Sequence, residues 1–252
     1  MELYLSGNEQ ADALLSKDPF ALLVGMVLDQ QVPLEWAFAA PAELKRRLGG
    51  KLDAASIAAT DPEELAGIFS ERPALHRYPG SMARRVHDLS RLLVDSYGGK
   101  AQNVWSGSKD ATDLLRRLKE LPGFGDQKAR IFLALLGKQL ATHPEGWESA
   151  SSPYGEPGSF RSVADIVDSA SLDRVRATKQ AAKQAARLAA KATADAPNKA
   201  PSKASASSKA SASKSAAAPA RATAKKQAGR APAKKAPDLT NRQRGQAKRT
   251  AS

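Results

Sequence analysis

Apolar residues recur at helical spacing along the first part of the chain, and the polar residues between them fall where helices begin and end. Glu9 to Leu15 reads as a short helix. Asp18-Pro19, an acid at the cap and a proline in the first turn, opens a second one over Phe20 to Gln30. Its apolar residues (Phe20, Leu22, Leu23, Val24, Met26, Val27, Leu28) leave almost no polar face, so this helix is expected in the core. It ends in polar Asp29-Gln30-Gln31, ahead of Val32-Pro33. Pro33 to Leu48 forms the next helix and closes on Gly49-Gly50, and Thr60-Asp61-Pro62-Glu63-Glu64 starts one that reaches Phe69. Arg77-Tyr78-Pro79-Gly80-Ser81 turns into a long helix, Met82 to Tyr97. One face of it carries Met82, Val86, Leu89, Leu92 and Leu93, with Arg84, Arg85 and Arg91 elsewhere, and Gly98-Gly99 stops it. Two further helices follow, Asp110 to Lys119 and Ala129 to Leu140. Nowhere do apolar and polar residues alternate as in a strand, so the fold class is all-α.

The last two helices flank Leu121-Pro122-Gly123-Phe124-Gly125-Asp126-Gln127-Lys128-Ala129. This is a tight turn in which Gly123 and Gly125 bracket one apolar residue. Glycine there can take positive φ and bring bare backbone close to another molecule. The second glycine also opens a helix, whose first N–H groups lack intrahelical partners and can hold an anion, commonly a phosphate.

Leu-Pro-Gly-Phe-Gly followed by Lys128-Ala129-Arg130 resembles the hairpin of the helix-hairpin-helix DNA-binding motif. Pro19-Phe20-Ala21-Leu22-Leu23 through Leu28-Asp29-Gln30-Gln31 resembles the opening helix of the HhH-GPD superfamily of base-excision DNA glycosylases, the endonuclease III and alkyladenine glycosylase type. Residues 18–140, about half the chain, fit that superfamily's helical order. The resemblance implies a double-stranded DNA partner, a base flipped into a pocket, and DNA contacts at Gln30, Gln31, Gly123, Phe124, Gly125, Gln127, Lys128 and Arg130. Gln31 would correspond to a glutamine that fills the space left by the extruded nucleotide and can bond to the orphaned base. It further implies that main-chain carbonyls of the hairpin can hold a monovalent cation.

The sequence departs from the superfamily after Leu140. The Val-Asp-Thr-His-like segment, whose aspartate supports base loss, is absent. An oxocarbenium-like transition state still requires a carboxylate near the sugar. Glu145, 18 residues after Gln127, is the first candidate and Asp165 the second. Bifunctional members carry a lysine two residues after the second glycine. Here Gln127 occupies that place, and an amide cannot form the imine that leads to strand cutting. Lys128 lies about 100° further around the helix and is read, with Arg130, as a phosphate contact. The expected activity is therefore that of a monofunctional glycosylase. The missing motif keeps two alternatives open, a non-catalytic relative that binds distorted DNA and a nucleoid protein dominated by its tail.

Composition narrows this further. The cysteine count is zero, which excludes disulfides and a cysteine-bound iron–sulfur cluster, and His76, His87 and His143 match no metal-ligand spacing. No stretch approaches a membrane span and the N-terminal residues lack the pattern of a signal peptide, so the expectation is a cytoplasmic, nucleoid-associated monomer with no membrane partner. Arg174–Ser252 holds 20 of the 39 basic residues and two acids, Asp195 and Asp238, a net of +18; residues 1–173 keep 19 bases against 24 acids, a net of −5. The basic character thus belongs to the C-terminal part. The reading divides the chain into a helical domain over 1–170, a helical extension over 171–191 leading away from it, and a disordered tail over 192–252 rich in Ala, Lys, Ser and Pro. That tail resembles those of linker histones and mycobacterial nucleoid proteins. Truncation after Lys191 should leave thermal melting unchanged but weaken binding to intact duplex. It should also flatten the salt dependence, since each neutralised phosphate adds about 0.9 to the log–log slope. Titration at several salt concentrations measures this, and an unchanged slope would remove the tail from DNA binding.

Overall fold

The computed structural model describes residues 2–194, and among these it forms eleven α-helices, one 3₁₀ turn and no strand. The helices are α1 (Glu9–Lys17), α2 (Pro19–Leu28), α3 (Leu34–Arg47), α4 (Ala54–Ala59), α5 (Pro62–Ser70), α6 (Pro79–Tyr97), α7 (Asn103–Ser106), α8 (Ala111–Glu120), α9 (Asp126–Gln139), α10 (Trp147–Ala150) and α11 (Ser169–Ala194), with the 3₁₀ turn at Val163–Asp165. The all-α expectation holds. Among the described residues no helix is long and apolar enough to cross a membrane.

Local chemistry explains the boundaries. The Asp18 carboxylate accepts from the Phe20 and Ala21 N–H groups at 2.9 and 3.2 Å and starts α2. Asp53, Asp61 and Asp110 cap α4, α5 and α8 in the same way. Gly98 ends α6 in the left-handed region at φ 61°.

Every α2 residue from Phe20 to Leu28 is buried, so this helix forms the centre of the core. It packs on α3 so closely that a methyl group at Gly25 would lie 2.8 Å from the Phe38 ring. The long α6 lies against α4 and α5, and touches α2. α8 and α9 form the helix pair around the 121–125 turn. That turn is anchored by Phe124, which is buried and meets Phe132 edge-on at 5.8 Å.

Two boundary expectations change. α11 does not lead away from the domain at its start: Val175 is buried, Leu172 packs on the core, and Arg176 pairs with Glu35. Alanine-rich composition signals helicity, but those two apolar residues dock the first turns onto the domain, so its edge does not fall at residue 170. The helix continues to Ala194, and the tail expected from residue 192 lies, from residue 195 onward, outside the described residues.

The segment after α9 folds back along it. Trp147 lies over Gly137, where a β-carbon would stand 2.3 Å from a ring carbon, and the Arg130 guanidinium bonds to the Ala150 carbonyl at 2.8 Å. Gly137→Ala should therefore force the indole off α9 and cost about 1–3 kcal/mol of stability. Urea unfolding measures this. A loss below about 0.5 kcal/mol would show that the indole can shift freely.

Candidate functional site

A cavity of about 690 Å³ opens where the C-terminal end of α2, the hairpin turn, the loop 153–161 and one face of α11 meet. That volume lies within the usual range of small-molecule sites, roughly 300–1,000 Å³. Its wall includes Asp29, Gln30 and Gln31 from α2's end, and Gly123, Gly125, Gln127 and Lys128 from the hairpin. Tyr154 and Arg161 come from the loop, and Thr178 and Lys179 from α11.

The end of α2 is held from several directions. The buried His76 ring donates through Nε2 to the Gln30 carbonyl at 2.9 Å, while its Nδ1 accepts from the Tyr78 N–H at 3.0 Å. Burial holds His76 below its ordinary pKa, which suits a neutral ring with one donor and one acceptor. Arg85 donates to the Gln30 side-chain oxygen at 2.6 Å, and the Gln30 amide donates to the Val27 carbonyl at 2.6 Å. Gln31 then takes φ +58°, a left-handed conformation unusual for a residue other than glycine, and stands exposed at the cavity.

Lys128 is oriented inward. Its ammonium donates to the Met26 carbonyl and, at 3.3 Å, to that of Val27, the terminal carbonyls of α2. Burial pushes its pKa down to about 8, opposed by the charge of Asp29. Burial raises the Asp29 carboxyl above its ordinary value, against the charges of Lys179 and Lys128. Gln127, one residue earlier, donates to the Tyr154 hydroxyl at 3.0 Å.

Several residues expected at the DNA surface have other places. Phe124 packs its ring into the core, so only its backbone can face a ligand. Lys128 ends α2 and so is not a surface phosphate contact, because its helical position turns it toward α2. Arg130 is bound to Asp126 at 2.8 Å as well as to Ala150. Gly123 adopts φ +86°, whereas Gly125 sits at φ −82°, which any residue can adopt. Gly125, as N-cap of α9, supplies no side-chain hydrogen bond and leaves the first-turn N–H groups for a ligand. Nothing stands within 4 Å of a β-carbon there, so glycine at this position serves close approach from outside.

Neither candidate carboxylate reaches the cavity. Glu145 is exposed beyond the far end of α9, its carbonyl bonded to the Ala111 N–H at 3.1 Å. Asp165 is 3% exposed and bonded to Lys138 at 2.6 Å and to the Arg161 and Ser162 N–H groups at 2.9 and 3.1 Å. It completes a capping box and closes a loop. Among the residues lining the cavity the one acid is Asp29, which the sequence reading quoted but did not single out; Tyr154, Arg161 and Lys179 were also missed. Among the described residues no three His, Cys, Asp or Glu side chains gather as metal ligands. At the hairpin, the Leu121 and Gly125 carbonyls accept from the Phe124 and Ala129 N–H groups, each at 3.0 Å.

The helix-hairpin-helix turn stands beside this cavity within an all-α fold. Residues 24–195 match the family model described as HhH-GPD superfamily base excision DNA repair protein. The match spans more than half of the 252 residues, and the chain belongs to this family. Comparison with curated proteins finds no match.

The two glycines should separate in experiment. Gly123→Ala forces a side chain into positive φ with Val27 3.6 Å away, so it should lower stability by about 1–2 kcal/mol. Gly125→Ala should melt like the wild type yet bind duplex at least several-fold more weakly in a tail-less chain. Unchanged binding by Gly125→Ala would mean that no phosphate approaches the hairpin.

Proposed function

We propose that the protein is a monofunctional DNA glycosylase that hydrolyses the N-glycosidic bond of a damaged base drawn out of double-stranded DNA into the cavity. The carrying observation is the convergence of the hairpin's unpaired first-turn N–H groups, the left-handed Gln31 and a cavity of about 690 Å³ on one face. Each answers one requirement of base flipping. The hairpin holds the backbone, Gln31 fills the vacated stack, and the cavity receives the base.

The absence of strand cutting is argued from Gln127. It stands at the position from which an amine would attack the sugar, and its amide is instead bonded to Tyr154. The neighbouring amine of Lys128 is tied to the carbonyls of α2. Water is then the acceptor of the sugar, and an intact abasic strand is the product.

Duplexes bearing uracil, oxidised or alkylated bases should give free base with at least one of them, and strand breaks only after alkali. Breaks without alkali, or a covalent complex trapped by borohydride, would overturn the monofunctional assignment. Tight binding to such duplexes without base release would favour a non-catalytic protein that recognises distorted DNA.

A further inference from the structure

Hydrolysis of a glycosidic bond at this site needs a negative group beside the sugar. Glu145 and Asp165 lie elsewhere, one exposed beyond α9 and the other locked to Lys138. On the basis of the glycosylase reading, we infer that Asp29, supplied by the end of α2, is the catalytic carboxylate of this cavity. It is the one acidic side chain in the cavity wall, and its neighbours in the chain are held by side-chain hydrogen bonds from other helices and loops. His76 and Arg85 hold Gln30 on one side of it, and Lys128 holds the Met26 and Val27 carbonyls on the other.

Its placement also departs from what helix stability alone would select. An acid at a helix C-terminus faces the negative end of the macrodipole. Asp29 occupies that place at the end of the most buried helix of the molecule, where Lys128 and Lys179 supply compensating charge. A carboxylate kept in an unfavourable position and partly desolvated is the arrangement that acid–base chemistry requires.

The step balances without any further reagent. As the C1′–N bond breaks, its electron pair leaves with the base, and water adds to C1′. Asp29 takes the proton that this water loses and later returns it to solvent, while the departing base nitrogen gains a proton from solvent. One water is consumed, and the products are the free base and an abasic sugar. The charged or titratable groups that share the cavity with Asp29 are Lys128 from α9, Lys179 from α11, Tyr154 and Arg161 from the loop; Arg85 from α6 stands behind Lys128 and Gln30, and His76 is held neutral. Asp29 must be ionised to act, so release should fall as pH drops through its pKa, which burial lifts above the usual carboxylate range. Lys179 opposes that rise, and removing its charge should move the acid limb to higher pH.

The test uses the full chain with a duplex bearing a base that the wild type releases, read as single-turnover rate against pH beside duplex affinity and melting temperature. Asp29→Asn should slow release roughly 100-fold or more and abolish the acid limb. Its duplex affinity should stay within about threefold, less than the factor of ten that corresponds to about 1.4 kcal/mol. Asp29→Glu should recover part of the rate, and Lys179→Met should shift the limb upward. Release by Asp29→Asn within threefold of wild type, or a retained acid limb, would overturn the role of Asp29 and leave the glycosylase reading standing. Should Asp29→Asn unfold, an unmoved limb in Lys179→Met together with an Asp29→Glu variant that folds but releases no base would also overturn it. Wild-type protein that releases no base from any lesion overturns the glycosylase reading itself, and Asp29's role with it.

Discussion

The Lys128 ammonium, carried by the first turn of α9, ends α2. α2 is buried on every side, so its last carbonyls need a donor at a place that admits little water. Lys128 gives its hydrogens to the Met26 and Val27 carbonyls, and its charge faces Asp29. Removing this donor would leave the Met26 carbonyl short of a partner, at a cost of about 1–3 kcal/mol. The hairpin and the end of α2 are joined through this group. They form the two principal walls of the cavity, so its shape depends on a charge that the interior holds at a cost, visible in the depression of Lys128's pKa to about 8.

The other walls attach to this joint through polar contacts. Tyr154 reaches the cavity because Trp147 lies on Gly137 and Ala150 is bonded to Arg130, which returns the chain along α9 toward the hairpin. Arg161 follows because Asp165 gathers the Arg161 and Ser162 N–H groups and is itself neutralised by Lys138. α11 closes the last side through Val175 and the Arg176–Glu35 pair. Thus two residues that resembled chemistry in the sequence, Arg130 and Asp165, serve to deliver other residues to the site.

What could be read from the sequence was local. Caps such as Asp18, Asp61 and Asp110, the apolar run of α2, and the Gly-Phe-Gly turn each depend on a few neighbouring residues, so the helix order and the hairpin follow directly. Which way a side chain points near the turn was not legible. One residue of helix is a rotation of about 100°, and the packing of Phe124 against Phe132 sets the phase that sends Lys128 inward. Glu145 shows the limit of counting residues. Its distance along the chain from Gln127 suited the chemistry, but most of that interval is α9 itself, whose run from Asp126 to Gly137 carries the chain about 16 Å from the hairpin at 1.5 Å per residue. The return to the cavity begins only after Glu145, too late to bring it back.

Asp29 was legible in principle, by a rule it breaks. Acids stabilise the first turn of a helix and destabilise the last; Asp53, Asp61 and Asp110 observe the rule, Asp95, Glu71 and Glu120 break it at exposed ends of α6, α5 and α8, and Asp29 breaks it at an end that is partly buried. At the end of α2 an acid follows an unbroken apolar helix, and the next residue but one takes a left-handed backbone conformation that suits glycine better than glutamine. Local preference and global fold usually agree, so two adjacent violations mark a place where something other than stability is served. The fold answers both with nearby compensation, cations for the carboxylate and hydrogen bonds to Gln30 for the turn. A buried helix needing only to stop would have required neither.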